Sequence, residues 1–427
     1  MENQLRFLPE ELLADILGRL APRSLAVSRC VCKAWRAIVD GHHLLRPDLL
    51  PLTLGGIFIS LTREAAPSEF FAPPFMGPKI ASKLQNYVCM MDYCWDIPHI
   101  IGCCNGLLLL DGIVVNPATQ RWARLPPCPP SLPDGTTGFG FDDAYLAFDP
   151  VLSPHYEVVL IKEPLDYDKT LLDRSEWPPP LYKLCVYSSE TGRWEEKPFV
   201  REGGPAGTVS AVRSASEPEY RHSACWHGAL YIHCTSDFIM RVNLSSDKYR
   251  VIKLPSRINS GRYDELYLGK SKKGVYGAFL HGRCRLQVLF LNESGDEAKW
   301  VSKHDIDLEA VAHFSPDQYP WILHEGNLDE DNNTGGIMDE NLRWDSDNDD
   351  VLDTEEKGAK CHYGHVSIFG FHPYKEIVFL YVSNARVVAC HLNSPKIQDV
   401  GQLQVKYRDD VINTTFVYMP CLFGDLS

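Results

Sequence analysis

The sequence predicts an α+β multidomain chain: a short N-terminal three-helix module followed by an all-β propeller of about six blades, with five to seven allowed. Three observations carry this expectation. Helical periodicity is confined to the first forty of 427 residues. Beyond it, 30 glycines and 30 prolines break the chain into short β-branched and aromatic runs, the texture of an all-β domain with many strands. A strand–turn–strand unit then recurs along the chain. Hydrophobic residues are 44% and charged residues 23%, as in ordinary folded proteins. The length fits two to three domains: a helical module over 1–45, a connector with the first strands over 46–98, and the propeller over 99–422.

Residues 8–20 read LPEELLADILGRL. Leu12, Ile16 and Leu20 recur at i, i+4 and i+8, with Leu13 and Leu17 as companions, which is an amphipathic helix. Pro9 suits the first helical position, and Glu10 and Glu11 favour the positive end of the helix dipole. Ala21-Pro22 ends this helix. Residues 23–31 make a second helix, with Leu25 and Val31 near its ends. Residues 32–39 make a third, in which Trp35, Ile38 and Val39 face one way and Lys33 and Arg36 another; Asp40-Gly41 supplies the stop. A unit of roughly 35–40 residues is near the lower limit for independent folding. It cannot cover two aliphatic rows and a tryptophan by itself, so part of that surface must meet the rest of the chain or a partner.

The string Leu8-Pro9…Leu12…Ile16-Leu17…Leu20…Leu25…Val31-Cys32-Lys33-Ala34-Trp35-Arg36 resembles an F-box. The resemblance implies a module that docks on a Skp-type adaptor of a cullin–RING ubiquitin ligase. It assigns adaptor contacts to Leu8, Pro9, Leu12, Ile16, Leu17, Leu20, Leu25, Val31, Cys32 and Trp35, although some of these must hold the three helices together. The alternative is a helical cap packed on the following domain.

The recurring unit appears at 113–126, 182–198, 238–255, 285–305 and 385–401. Each has a strand, a turn, and a second strand carrying Trp122, Trp194, Tyr249, Trp300 or Ile397 in the corresponding place. Further strand-like runs precede each unit: 106–110, 156–161, 229–233, 274–280 and 376–382. Four strands per period of about 50 residues is what a propeller blade needs, and one blade cannot bury both its faces alone. Five blades are countable. A sixth is expected from 56–61 and 87–91, closed by a C-terminal strand at 413–418. A pair of β-sandwiches is the alternative.

The phrase Gly102-Cys103-Cys104-Asn105-Gly106-Leu107-Leu108-Leu109-Leu110, followed by Val115-Asn116-Pro117-Ala118-Thr119-Gln120-Arg121-Trp122, resembles the F-box-associated, kelch-like domains behind F-boxes in many plant proteins. That resemblance implies a substrate-recruiting propeller and carries over no ligand.

Two segments interrupt the β pattern. Residues 162–180, with three consecutive prolines, read as a long surface loop. Residues 325–357 hold thirteen acidic residues against Arg343 and Lys357. The net charge of −14 therefore belongs mostly to this insertion, whose plain role is a solvated spacer and whose alternative role is steering a basic target. An acidic chain argues against coating nucleic acid, and no apolar run is long enough to span a membrane. The N-terminus lacks the pattern of a secretory signal. The cytosol or nucleus is thus expected, with the 14 cysteines mostly free.

Other chemistry finds little support. Residues 345–356 match an EF-hand loop at positions 1, 3, 5, 8 and 12, but Asp350 replaces the glycine of position six. Cys361-His362-x-x-His365, Cys89-x4-Cys94 and Cys103-Cys104 lack a second pair at zinc-binding spacing, so no metal or cofactor is expected. Ser189–Trp194 lacks the aspartate of a sialidase-like turn, and no nucleophile-elbow, phosphate-loop or zincin motif occurs. The functional expectation is a non-catalytic substrate receptor of a Skp–cullin–F-box ligase that holds an unidentified target protein. The alternatives are a propeller enzyme of glycosidase or oxidase type with an unrelated helical cap, and a scaffold that binds the adaptor without delivering a target for degradation.

Overall fold

In the computed structural model the described residues are 9–20, 24–25, 28–29, 31–42, 44, 54–61, 68–73, 100–127, 144–161, 173–213, 222–234, 238–255, 266–281, 285–295, 297–308, 321–324, 344, 346–347, 366–382, 385–394, 396–403, 412–421 and 426. Helix α1 spans Glu10–Gly18 and helix α2 spans Lys33–Gly41. Pro9 lies one place earlier than the sequence suggests: it precedes the helix, and its carbonyl accepts from Leu13 N–H at 3.1 Å. The last helix likewise runs through Asp40-Gly41 instead of stopping there. Between the two, residues 24, 25 and 28 are helical.

Among the described residues the strands form six four-stranded blades, two of them joined in one sheet, and a separate two-stranded pair. From inner to outer strand, blade 1 is Ile412–Tyr418, Gly56–Leu61, Glu69–Ala72 and Ile322–His324. Blade 2 is Ile100–Cys104, Leu107–Leu110, Ile113–Asn116 and Arg121–Arg124. Blade 3 is Ala144–Ala147, Glu157–Leu160, Leu181–Ser188 and Arg193–Glu202. Blade 4 is Ser223–Trp226, Ala229–His233, Phe238–Asn243 and Lys248–Lys253. Blade 5 is Leu266–Ser271, Gly274–His281, Arg285–Asn292 and Lys299–Asp307. Blade 6 is Val366–Phe371, Ile377–Val382, Arg386–His391 and Ile397–Gln402.

Packing between these sheets distinguishes a ring from a pair of sandwiches. The second and third strands of blade 2 lie between neighbouring blades on both faces, so Leu107–Leu110 and Ile113–Asn116 are buried throughout, and successive side chains point to opposite faces. Leu107 and Leu109 pack towards blade 3, with Leu146 and Val158. Leu108 and Leu110 pack towards blade 1, with Phe58 and Phe70. Ile57 and Ile59 join Phe369 and Phe379 of blade 6. Tyr276 and Val288 of blade 5 meet Val378 and Val388 of blade 6. Leu266 and Phe279 of blade 5 meet Tyr231 and Ile239 of blade 4, and Leu184 and Phe199 of blade 3 meet Leu230 and Met240 of blade 4. Every blade thus shares a core with the next, and the sixth with the first. Outermost strands alternate between covered and exposed residues, as in Arg121–Arg124 and Lys299–Asp307.

The structure departs from the sequence expectations in four places. Blade 1 takes its outer strand from Ile322–His324, between blades 5 and 6; the expected strand at 87–91 lies outside the described residues. Blades 3 and 4 are fused at their rims, where Val200–Glu202 pairs in parallel with Lys248–Arg250, giving one eight-stranded sheet. Residues 173–180, expected to be loop, contain the strand Glu176–Trp177, paired with Gly207–Thr208. Buried Trp177 and the short helix Val209–Arg213 fill the space between the fused blades. Arg201 fixes this cover by donating to the Pro178 carbonyl and the Glu176 carboxylate, both at 2.5 Å. Finally, the acidic insertion is not solvated throughout. Trp344 packs on Trp321 and Phe379, Ser346 is buried, and Lys375 holds the Asp347 carboxylate at 2.8 Å.

Ring closure explains the Asn105-Gly106 pair. Both residues have positive φ, 47° and 90°, as a tight hairpin between two twisted strands demands. Asn105 Nδ2 donates to the Phe148 carbonyl of blade 3 at 2.6 Å. A Cβ on Gly106 would collide with the Met419 carbonyl and Cys421 of blade 1. Gly106→Ala should therefore lose on the order of 1–3 kcal/mol through backbone conformation alone, with overpacking added. A thermal melt within 1 °C of the parent would contradict this.

Candidate adaptor-binding site

The N-terminal module closes a small core of its own. Leu13, Ala14 and Leu17 of α1 meet Leu25 and then Ile38 and Val39 of α2, with Trp35 and Leu44 packed at the edge. All members of this cluster belong to residues 13–44. His42 Nε2 lies 3.3 Å from Glu10 Oε1 and ties the end of α2 to the start of α1. Cys32 precedes α2, and its sulfur accepts from Trp35 N–H at 3.5 Å. This covers one of the N–H groups that a helix start leaves open.

The two aliphatic rows of α1 have different fates. A step of one residue turns the side chain about 100°, so the rows are adjacent but cannot both face one core. The row at 13 and 17 is buried, with Leu17 only 1% exposed. The row at 12, 16 and 20 remains open, at 46%, 45% and 38%. Val31, before α2, is 64% exposed. Pro9 and Cys32 are exposed as well, and Trp35 is half-buried.

The ten residues that resemble adaptor contacts are therefore not equivalent. Pro9, Leu12, Ile16, Leu20, Val31, Cys32 and the open side of Trp35 present surface. Leu17 and Leu25 do not: they are core residues, and any contribution they make to a partner acts through the shape of the module. Leu8 lies outside the described residues. The sequence signal for this division was the one-residue offset between the two rows, but choosing the inner row requires knowing where Ile38 and Val39 cross α1.

Residues 5–46 match the F-box-like family model. The module is an F-box-like domain. Relatives in Arabidopsis thaliana extend beyond it. The F-box protein At5g07610 is 22% identical over 334 residues, covering 72% of each chain. The putative F-box protein At3g16210 is 28% identical and covers 58% of this chain and 61% of its own. The putative F-box/kelch-repeat protein At1g15680 is 26% identical, over 44% and 46% respectively. The chain thus joins an F-box-like domain to a C-terminal β domain, as its plant F-box relatives lead one to expect. Likeness to solved structures is distant. YCF48 bound to D1 peptide gives a TM-score of 0.31 at 8% identity, covering 82% of each chain, and carries no functional inference.

The other candidate sites resolve as follows. Cys103 donates to the Val417 carbonyl and Cys104 to that of Phe148. Burial pushes the Cys103 thiol up to about 12, so it is a packed thiol and a poor ligand. The eight described cysteines are free thiols. Of the EF-hand-like stretch only Ser346 and Asp347 are described, and the Asp347 carboxylate is occupied by Lys375. Cys89, Cys94, Cys361, His362 and His365 lie outside the described residues. Among the described residues no group of three His, Cys, Asp or Glu side chains is placed to hold a metal ion, and no helix is long and apolar enough to cross a membrane.

Proposed function

We propose that this chain is the substrate-recognition subunit of a Skp–cullin–F-box ubiquitin ligase, working in the cytoplasm or nucleus. The F-box-like domain binds the Skp-type adaptor, and the propeller turns bind a target protein. The observation that supports this most is the open row of Leu12, Ile16 and Leu20 beside Val31. Four large aliphatics on one small module, each 38–64% exposed, are a surface that water disfavours and a partner groove would cover. Burying what remains open on each is worth about 1 kcal/mol, enough together for a stable contact. Catalysis needs no group from this chain in such a role. The chain raises the effective concentration of a target beside ubiquitin-transfer subunits supplied by others.

The test is co-expression of the full chain with a Skp-type adaptor. We expect the pair to co-purify, and the chain lacking residues 1–45 to emerge folded but alone. Adaptor retained by the truncated chain would overturn the assignment of the helices as the adaptor end. Absence of any adaptor on the full chain would overturn the receptor reading itself.

A further inference from the structure

The propeller has one face whose contacts run from blade 1 through to blade 6. In every blade the innermost strand ends there. Gly106 of blade 2 abuts Cys421 of blade 1, and Asn105 reaches Phe148 of blade 3. Gly228 of blade 4 lies against Leu152 of blade 3, whose Cδ1 is 2.9 Å from where a Cβ would sit. Trp226 of blade 4 reaches Gly274 of blade 5, at 3.9 Å from its Cβ position. Ser271 of blade 5 donates to the His372 and Lys375 carbonyls of blade 6, at 2.9 and 2.7 Å.

On this face Val151 and Leu152 are 66% and 65% exposed, yet their turn is tightly held. The Asp149 carboxylate accepts from Val151 N–H at 3.1 Å, and the Asp149 carbonyl accepts from Leu152 and Ser153 N–H at 3.0 Å. Tyr156 and Ser189 exchange hydrogen bonds at the far end. An apolar pair presented on a satisfied, rigid turn loses little conformational freedom on binding, which is how a contact anchor gains affinity. Next to Leu152 comes the left-handed turn at His227-Gly228, with the Trp226 and His227 rings stacked at 4.5 Å. Beyond Gly274 comes the exposed Lys272-Lys273 tip. The surface thus runs without a gap from two aliphatics, across an aromatic stack, to two lysines.

One lysine on this face is left open. Around its inner turns stand Lys270, Lys272, Lys273 and Lys375, against Asp149, Asp347 and Glu376. Lys270 is engaged by Asn105, Lys273 by Glu376 at 2.6 Å and Lys375 by Asp347. Lys272 alone of the four has no partner among the described residues.

We infer that this face, from Val151-Leu152 through Trp226-His227 to Lys272, is the target-docking surface, and that it takes a protein segment with an apolar side chain next to carboxylates. The inference rests on the receptor reading above and adds the place and chemistry of its target end. The apolar residue covers Val151 and Leu152, and the carboxylates reach Lys272.

The test applies the full chain, alone and mixed with a Skp-type adaptor, to arrays of short synthetic peptides. Each peptide carries a central Leu, Ile or Phe flanked by Asp and Glu, by Lys and Arg, or by Ser. We expect retention of acid-flanked peptides over the other two sets. The Val151→Ser/Leu152→Ser double variant should lower that retention about tenfold, and Lys272→Glu should move preference towards basic flanks. Both variants alter exposed side chains, so melting temperature and adaptor binding should stay at parent values. Three results would overturn the inference: a parent preference for basic flanks, retention indifferent to both variants, or no retention of acid-flanked peptides. A chain that binds such peptides but never the adaptor would sink the receptor reading and leave this surface standing.

Discussion

Ile16→Ala and Leu17→Ala, one residue apart, should fail in different ways. Leu17 sits in the middle of a core of about six side chains. Truncating a buried leucine costs about 2–5 kcal/mol, comparable to the whole stability of a module this small. Leu17→Ala should therefore melt the N-terminal helices and lose adaptor binding with them. Ile16 is 45% exposed, and alanine is a better helix former than isoleucine. Ile16→Ala should leave the module folded while weakening the adaptor by about 2 kcal/mol, as a central interface anchor does. Helical circular dichroism and hydrogen exchange over 10–41, measured beside the adaptor Kd, separate the two. If Ile16→Ala binds like the parent, the open row is not the docking face. If Leu17→Ala stays helical and binds weakly, the inner row touches the partner after all.

Much of this architecture was legible because strand and helix patterns were strong where burial was two-sided. Leu107–Leu110 and Ile113–Asn116 are continuous apolar runs because both faces meet another blade. The recurring aromatic marks the outer strand, and at Trp194 its indole reaches across to the Pro126 carbonyl at 2.7 Å. Closure by the strand Ile412–Tyr418 against Gly56–Leu61 was legible from the strand-like runs at 56–61 and 413–418. The failures have a common cause: segments too short to show a period, recruited by distant partners. Ile322–His324 has three residues and no periodicity, and becomes a strand only because Phe70–Ala72 offers an edge. Glu176–Trp177 sits in a proline-rich stretch whose sequence argues for loop, but Trp177 finds an apolar cleft between fused blades. Trp344 was hidden among acids, although a lone tryptophan in such a run is itself a sign of an anchor. In the N-terminal module the residue types were readable and their orientation was not, since α1 carries two aliphatic rows and its sequence does not say which one Ile38 and Val39 will meet.

The acid-sensitive stability effect within the ring should come from Glu376. Its side chain is 5% exposed, and Lys273 Nζ of blade 5 reaches it at 2.6 Å. Tyr276 of blade 5 donates its hydroxyl to Oε1 at 2.8 Å, and Asn393 donates to Oε2. Burial alone would raise this carboxyl. The donors from Lys273, Asn393 and Tyr276 outweigh it and hold the group at about 2 instead of 4.5. Lys273 is 55% exposed and Asn393 is open to water, so Glu376→Ala strands one buried donor, the Tyr276 hydroxyl, at the boundary of blades 5 and 6 and should cost about 1–3 kcal/mol. The pH dependence follows from the lowered value. The carboxylate contributes its full stability above about pH 4.5, and that contribution is lost as pH falls towards 2, because the unfolded chain takes up its proton first. Glu376→Gln should therefore be less stable than the parent at pH 7, and its stability should fall less steeply between pH 4.5 and 2. Denaturant unfolding at several pH values within that window measures both. Parallel curves for parent and variant would mean that Glu376 is not the acid-sensitive link between the two blades.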